Sequence, residues 1–262
     1  MADPDFDALL DLAARAATLA SNALRAHRDD WSGIEAVQGR EVKVQADKQA
    51  EALILDLITK ESSIPILSEE AGWVGDHLKD GVDKLAWAID PLDGSVNYIK
   101  GYPHCAVSIA LMQGARPVLG VVDCFLLGER FAGIVGRGAT LNGKPISVSA
   151  VTEPSQGILS TGIPARAATE KATFSRFMEE ILAWRKVRMI GSAAAALANV
   201  ACGRADAYRE SGAMLWDVAA GCALVEAAGG ETKLEGPALD RPLIVTASNA
   251  ALAFYLGARA TA

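Results

Sequence analysis

The chain is short of the residues that soft-metal and disulfide chemistry require, with four cysteines and three histidines among 262 residues. Cys105, Cys124, Cys202 and Cys222 have no C-x-x-C spacing and lie in apolar surroundings, which reads as buried free thiols of a reducing cytoplasm rather than a zinc site or a disulfide framework. His27, His77 and His104 share no metal-ligand spacing, so packing or surface roles are expected of them. Basic side chains are outnumbered, 25 Lys+Arg against 32 Asp+Glu, for a formal net charge of −7. That balance repels a duplex nucleic-acid backbone. Charges interrupt every apolar run before it could cross a bilayer, and Asp3, Asp5, Asp7 and Asp11 stand where a signal peptide would carry a basic start. The expectation is a cytoplasmic protein with neither duplex nucleic acid nor membrane as partner.

What is present is ample apolar surface: hydrophobic residues make up 51% and charged residues 22% of the chain, enough to offset chain entropy in a globular fold. Apolar residues at helical spacing predict a long amphipathic helix over Phe6 to His27 and a second from about Asp47 to Lys60. Ile64 to Leu67 and Leu85 to Ile89 read as short buried strands, with Gly72 to Asp83 a polar loop between them. Val107 to Met112, Val118 to Cys124 and Glu129 to Val135 read as an antiparallel meander, followed by tight turns at Gly136–Ala139 and Asn142-Gly143. From about Ser155 the pattern changes to helices (Thr169 to Trp184, Ser192 to Cys202, Trp216 to Ala228, Asn249 to Arg259) alternating with strands (Val187 to Ile190, Ala205 to Arg209, Leu243 to Thr246). The expected organisation is one compact unit with an α+β part over residues 1–150, helices packed on an antiparallel sheet that carries the metal and phosphate site, and an α/β part over residues 151–262.

Three acidic elements, far apart in sequence, share one context: each lies at the edge of an apolar run. They are Glu69-Glu70, Asp90 with Asp93, and Asp217 beside Trp216. Alone, each has a plainer reading, as a surface pair, a solvated Asp-Pro-Leu-Asp-Gly turn, and a helix cap. Together they describe loops converging on a ligand. Carboxylates crowded in a partly dry site cannot all stay ionised without a cation, and oxygen donors without His or Cys select hard ions such as Mg²⁺. Gly94-Ser95 then opens a segment whose free N–H groups and hydroxyl suit phosphate.

The stretch Ala86-Trp87-Ala88-Ile89-Asp90-Pro91-Leu92-Asp93-Gly94-Ser95-Val96-Asn97-Tyr98 resembles the first signature of the inositol monophosphatase family. Trp216-Asp217-Val218-Ala219-Ala220-Gly221 through Glu226-Ala227-Ala228-Gly229-Gly230 is similar to its second. Ser68-Glu69-Glu70, Gly191-Ser192-Ala193 and Ala205-Asp206-Ala207-Tyr208 match as well, so the resemblance spans nearly the whole chain. It implies a layered αβαβα sandwich, two or three Mg²⁺ ions per site, lithium sensitivity, a homodimer, and hydrolysis of small phosphate monoesters by metal-activated water. Glu69, Asp90 and the Leu92 carbonyl would hold one metal, and Asp90, Asp93 and Asp217 a second. Asp47 and Glu70 would lie near a third. Glu69, Ser95 and Asp93 would be catalytic, Gly94 and Ser95 would bind phosphate, and Gly191, Ser192, Ala193 and Glu210 would face the substrate alcohol.

Four positions depart from the family pattern. Val44 replaces a common threonine, Ser95 a threonine and Ser68 a glycine, and a flap lysine has no clear counterpart beyond Arg40 or Lys43. Within the class the resemblance favours inositol-1-phosphate or a related polyol or sugar phosphate. The alternatives are histidinol-phosphate phosphatase, fructose-1,6-bisphosphatase, 3′(2′),5′-bisphosphate nucleotidase and a non-catalytic phospholigand-binding homologue.

Overall fold

The computed structural model describes residues 4–38, 41–75, 84–163, 171–236, 238 and 240–260. The chain opens with α1 (Phe6–Ala26), the single turn α2 (Arg28–Trp31), a hairpin of β1 (Ile34–Gln38) and β2 (Glu41–Val44), and α3 (Gln45–Glu61). Next come β3 (Ile66–Ser68), β4 (Gly72–Val74), β5 (Leu85–Asp93), α4 (Ser95–Lys100), β6 (Ala106–Gln113), β7 (Arg116–Cys124), β8 (Glu129–Ile134), β9 (Gly138–Leu141) and β10 (Lys144–Ile146). The remainder is β11 (Ile158–Thr161), α5 (Lys171–Leu182), β12 (Lys186–Arg188), α6 (Ala193–Ala201), β13 (Ala207–Ala213), α7 (Leu215–Ala227), β14 (Glu231–Glu235), β15 (Leu243–Ser248) and α8 (Ala250–Ala260).

These elements stack as the αβαβα sandwich. One outer layer is α1 and α3, whose apolar stripes (Leu12, Ala16, Ala20 and Leu24; Ala50, Ile54 and Ile58) bury against Trp87, Ile89, Ile109 and Val121 of the first sheet. That sheet has eight strands in the order β10-β9-β8-β7-β6-β5-β3-β4. The central layer is α6 with α7, and beyond it lies a five-stranded sheet in the order β12-β11-β13-β15-β14. A third core around Leu159, Trp184, Ala207, Leu252 and Leu256 joins this second sheet to α5 and α8. The helix α7 is apolar on nearly every side, with Asp217 and Glu226 its two charged residues, because both of its faces are covered by sheet.

The long helices and the meander lie where periodicity places them, and the Asn142-Gly143 turn joins β9 to β10 with both φ angles positive (50° and 77°), as a two-residue hairpin requires. Other expectations need correction. The first sheet is mixed, because β3 runs parallel to β5. Gly72–Val74, read as loop, pairs antiparallel with β3; residues 76–83 of that expected loop, with His77, lie outside the described residues, as does the Thr169 start of the expected helix. β5 continues past Ile89 to Asp93, and β13 continues past Arg209 to Ala213. β11 and β14 carry too few residues to stand out by alternation, and they form because neighbouring strands supply partners.

One close approach holds the central layer to the first sheet. A methyl group at Gly120 on β7 would lie 2.3 Å from the Ala220 carbonyl oxygen of α7, so the helix rests on bare backbone there. Gly120→Ala should therefore lower stability by about 1–3 kcal/mol, as overpacking does. A urea unfolding midpoint unchanged from wild type would contradict this.

Candidate active site

The strand β5 brings the first two acids together by breaking its own register. Asp90 faces Ser108 and Asp93 faces Ala106 on β6, so one residue is extra on β5. A regular strand would send residues three apart to opposite faces; the bulge turns both carboxylates to one cavity. The Leu92 N–H donates to Asp90 Oδ1 at 2.9 Å, which sets the rotamer of that buried acid. Gly94 follows with φ of 90°, and a Cβ there would come 2.9 Å from the His104 carbonyl oxygen, so both the turn and its packing require glycine. α4 starts at Ser95, whose hydroxyl oxygen lies 2.9 Å from Asp47 Oδ1 and 3.1 Å from the Leu92 carbonyl oxygen.

The other acids arrive from separate elements. Glu69 stands in the turn after β3. Asp217 sits in the first turn of α7, accepting the Met214 N–H at 2.9 Å, a position where the helix dipole favours an anion. Asp93 Oδ2 accepts both the Ser192 hydroxyl (2.6 Å) and the Ala194 N–H (2.7 Å), and Ser192 also caps α6 by accepting the Ala195 N–H at 3.2 Å. The predicted residues Glu69, Asp90, Leu92, Asp93, Gly94, Ser95, Gly191, Ser192, Ala193, Glu210 and Asp217 thus line one cavity of about 400 Å³.

Asp47 and Glu70 do not line it. Asp47 is buried in the first turn of α3, where Oδ2 accepts the Val44 N–H at 2.8 Å while Oδ1 meets Ser95. With Val44 supplying no hydroxyl, the Asp47 carboxylate is the side-chain cap seen at this helix start. Sequence reasoning passed over Glu51, one turn beyond Asp47 on the same helix. Its Oε1 accepts the Ser68 hydroxyl and the N–H groups of Glu70 and Ala71 (both 3.1 Å), so it anchors the turn that carries Glu69. It also gave no site role to Tyr208, named only within a matching segment, or to Thr161, both of which line the cavity. The Asp47-to-Glu51 spacing on one helix face was the signal available for the first; the inward face of β13 was the signal for Tyr208.

The electrostatics follow from crowding. Burial, reinforced by Glu69, Asp93 and Asp217, holds the Asp90 carboxyl well above the usual range. Burial and then Asp93 and Glu69 do the same to Asp217, against the opposing Met214 N–H. Asp93 is pushed from 3.8 up to about 6 by burial, opposed by the Ser192 hydroxyl and the Ala194 N–H. Burial also raises Glu210, with the Tyr208 hydroxyl working the other way. Among the described residues no Lys, Arg or His lines the cavity. Among the described residues the site therefore has an excess of buried carboxyl oxygens and no lining cation to balance it, which is the donor chemistry a hard divalent ion fits. Among the described residues no three such side chains close into a preformed cage. Asp90, Asp93 and Asp217 each give an oxygen to a backbone or hydroxyl donor instead.

The chain matches the inositol monophosphatase family over residues 5–253, and it belongs to that family. An inositol-1-monophosphatase of a Synechocystis species is 40% identical over 207 residues, 76% of this chain and 70% of that protein. A Nus factor SuhB of Xylella fastidiosa is 36% identical over 225 residues, 84% of this chain and 80% of that one. The solved inositol monophosphatase from Anabaena (Nostoc) superposes with a TM-score of 0.82 at 34% identity, covering 98% of this chain and 97% of that one.

A carboxyl whose folded value lies above its unfolded one contributes stability at low pH and loses that contribution as pH rises through the folded value. Asp93, at about 6, and Asp90 and Asp217, both held well above the usual carboxylate range, place that loss from about pH 4 upward. The metal-free protein should melt at lower temperature as pH rises through this window, and Mg²⁺ should raise Tm more at about pH 7.5 than at about pH 5. Equal Mg²⁺-induced shifts at both pH values, read by calorimetry, would refute the assignment.

Proposed function

We propose that this protein is a Mg²⁺-dependent phosphatase that hydrolyses small phosphate monoesters, with inositol-1-phosphate or a related polyol or sugar phosphate as substrate. The observation that carries the reading is the convergence of Glu69, Asp90, Asp93 and Asp217 from three separate elements on one cavity that, among the described residues, no basic side chain lines. Glu69, Asp90 and the Leu92 carbonyl would hold one ion, and Asp90, Asp93 and Asp217 a second. When bound, Mg²⁺ supplies Lewis acidity at the phosphoryl oxygens and acidifies a water molecule. Glu69 and Ser95 orient that water and Glu69 receives its proton, with Asp47 fixing the Ser95 hydroxyl. Gly94 and Ser95 bind the phosphate; Gly191, Ser192, Ala193 and Glu210 face the alcohol. The water oxygen would bond to phosphorus as the P–O bond to the alcohol breaks, with the leaving alkoxide taking a proton from solvent water as Glu69 returns its own to solvent. Asp47 and Glu70 would reach a third ion only through intervening water, since neither lines the cavity. Lithium inhibition, a homodimer and a cytoplasmic setting belong to the same reading and rest on family membership.

The resemblance to proteins named Nus factor SuhB favours a second reading, in which the fold is kept for binding and turnover is absent or incidental. Phosphate release decides between them. Asp90→Asn, Asp93→Asn and Asp217→Asn should each lower kcat by about 100-fold or more with an unchanged far-ultraviolet spectrum, and excess chelator should stop turnover reversibly. Wild-type rates that survive the chelator would exclude the phosphatase mechanism. Mg²⁺-dependent ligand binding with no phosphate release would establish the second reading.

A further inference from the structure

The turn that presents Glu69 has little support of its own. β3 and β4 have three residues each, and Ser68 pairs with Gly72, so Glu69, Glu70 and Ala71 form the loop of a hairpin too short to be fixed by its ladder alone. The loop's N–H groups are taken up outside the cavity. That of Glu69 donates to the Ile89 carbonyl oxygen of β5 at 3.2 Å, and those of Glu70 and Ala71 donate to Glu51 Oε1, each at 3.1 Å. The Ser68 hydroxyl donates to the same oxygen. With its backbone engaged there, the loop leaves the Glu69 side chain to line the cavity.

Glu51 reaches the loop from a rigid base. It is a buried residue of α3, a helix whose Ala50, Ile54 and Ile58 are fixed in the core against the first sheet. Two consecutive N–H groups and a hydroxyl gathered around one carboxylate oxygen form a nest, the concavity by which backbone binds an anion, and here the anion comes from the protein itself. Bonds to an ionised acceptor are stronger and more directed than neutral ones. A further buried acid close to a loop that already carries Glu69 adds repulsion, so packing alone does not account for it; the three donors do. Glu51 does not line the cavity, and its influence on the site runs through the shape of the loop.

We propose that Glu51 is a positioning residue of the metal site: by drawing the Ser68 hydroxyl and the Glu70 and Ala71 N–H groups onto one oxygen, it holds the loop in the shape that presents the Glu69 carboxylate to Mg²⁺. This rests on the metal assignment of the phosphatase reading and deepens it. Glu51 sets the affinity for the ion, and through Glu69 the rate, while touching neither ion nor substrate. What the loop requires is an acceptor at that reach from α3. The amide oxygen of Glu51→Gln supplies one, and the apolar Glu51→Leu fills similar space without one.

The test follows three readouts in the full-length protein: calorimetric binding of Mg²⁺ alone, the Mg²⁺ concentration giving half-maximal phosphate release, and hydrogen exchange of the Glu70 and Ala71 amides without metal. Glu51→Leu should weaken Mg²⁺ binding and raise the half-maximal concentration by about 10-fold, and Glu51→Gln should stay within about 3-fold of wild type on both. The two amides should exchange about 10-fold faster in Glu51→Leu. Ser68→Ala, which removes one donor, should shift Mg²⁺ binding by about 3-fold in the wild-type background and not at all in Glu51→Leu. A merely structural role would lower the amount of folded protein and the amplitude of each titration while leaving its midpoint in place. Mg²⁺ midpoints unmoved in Glu51→Leu, or a Glu51→Gln no better than Glu51→Leu, would overturn the proposal. If Glu51→Leu does not fold, Ser68→Ala decides: a weaker Mg²⁺ midpoint supports the clamp and an unchanged one overturns it. If no ester releases phosphate, the phosphatase reading fails by itself, and calorimetry still decides: Mg²⁺ binding weakened in Glu51→Leu and restored in Glu51→Gln supports the proposal, whereas equal binding, or none by the wild type, overturns it.

Discussion

The repulsion among Asp90, Asp93, Asp217 and Glu69 is the constraint to which the rest of this molecule answers. Left to themselves, acids this close would separate or protonate. The fold prevents separation by giving each of the three aspartates a directed hydrogen bond from a rigid element: the Leu92 N–H to Asp90, the Ala194 N–H and Ser192 hydroxyl to Asp93, the Met214 N–H to Asp217. These bonds hold the carboxylates in place without neutralising them. The unbalanced charge is thereby preserved for a cation, which is the feature the family's metal dependence draws on.

Around this centre a few side chains tie the loops into one frame. The Asn97 amide donates to the carbonyl oxygens of His104 (2.6 Å) and Ile190 (2.7 Å), joining α4 and the turn after it to the loop before α6. Glu51 gathers three donors from the Ser68–Ala71 turn, so a buried acid on α3 holds the turn bearing Glu69. Of these three donors, Ser68 contributes its side-chain hydroxyl. The Gly120 contact then sets how near α7, and hence Asp217, approaches the sheet that carries Asp90 and Asp93. Positioning in this site is spread over strands, helices and caps of all three inner layers, which is how a polar cluster is kept rigid inside a fold.

Much of this was legible in the residues. α1 and α3 follow from apolar periodicity, the meander from alternation and turn chemistry, and the acidic elements from their places at the ends of apolar runs. The short strands β4, β11 and β14 were not, because three to five residues carry too little pattern and their conformation is set by neighbours in the sheet. Glu51 and Tyr208 escaped for a related reason: an isolated Glu on a helix and an aromatic on a short strand read as surface and core until their partners are seen.

The sequence by itself determined the chemistry available: oxygen donors without soft ligands, a proline- and glycine-bracketed pair of aspartates, and a helix-starting aspartate. Local composition is sufficient for that, since it depends on residue types and spacings of a few positions. Only the tertiary structure decided which acids share a cavity and which do not. Asp90 and Asp93 face the same way because of a bulge opposite β6, Asp47 divides its carboxylate between a helix cap and the Ser95 hydroxyl, and Glu210 packs against the bare backbone of Gly162. Each of these depends on strand register or on contact between segments distant in sequence, and no local pattern encodes either.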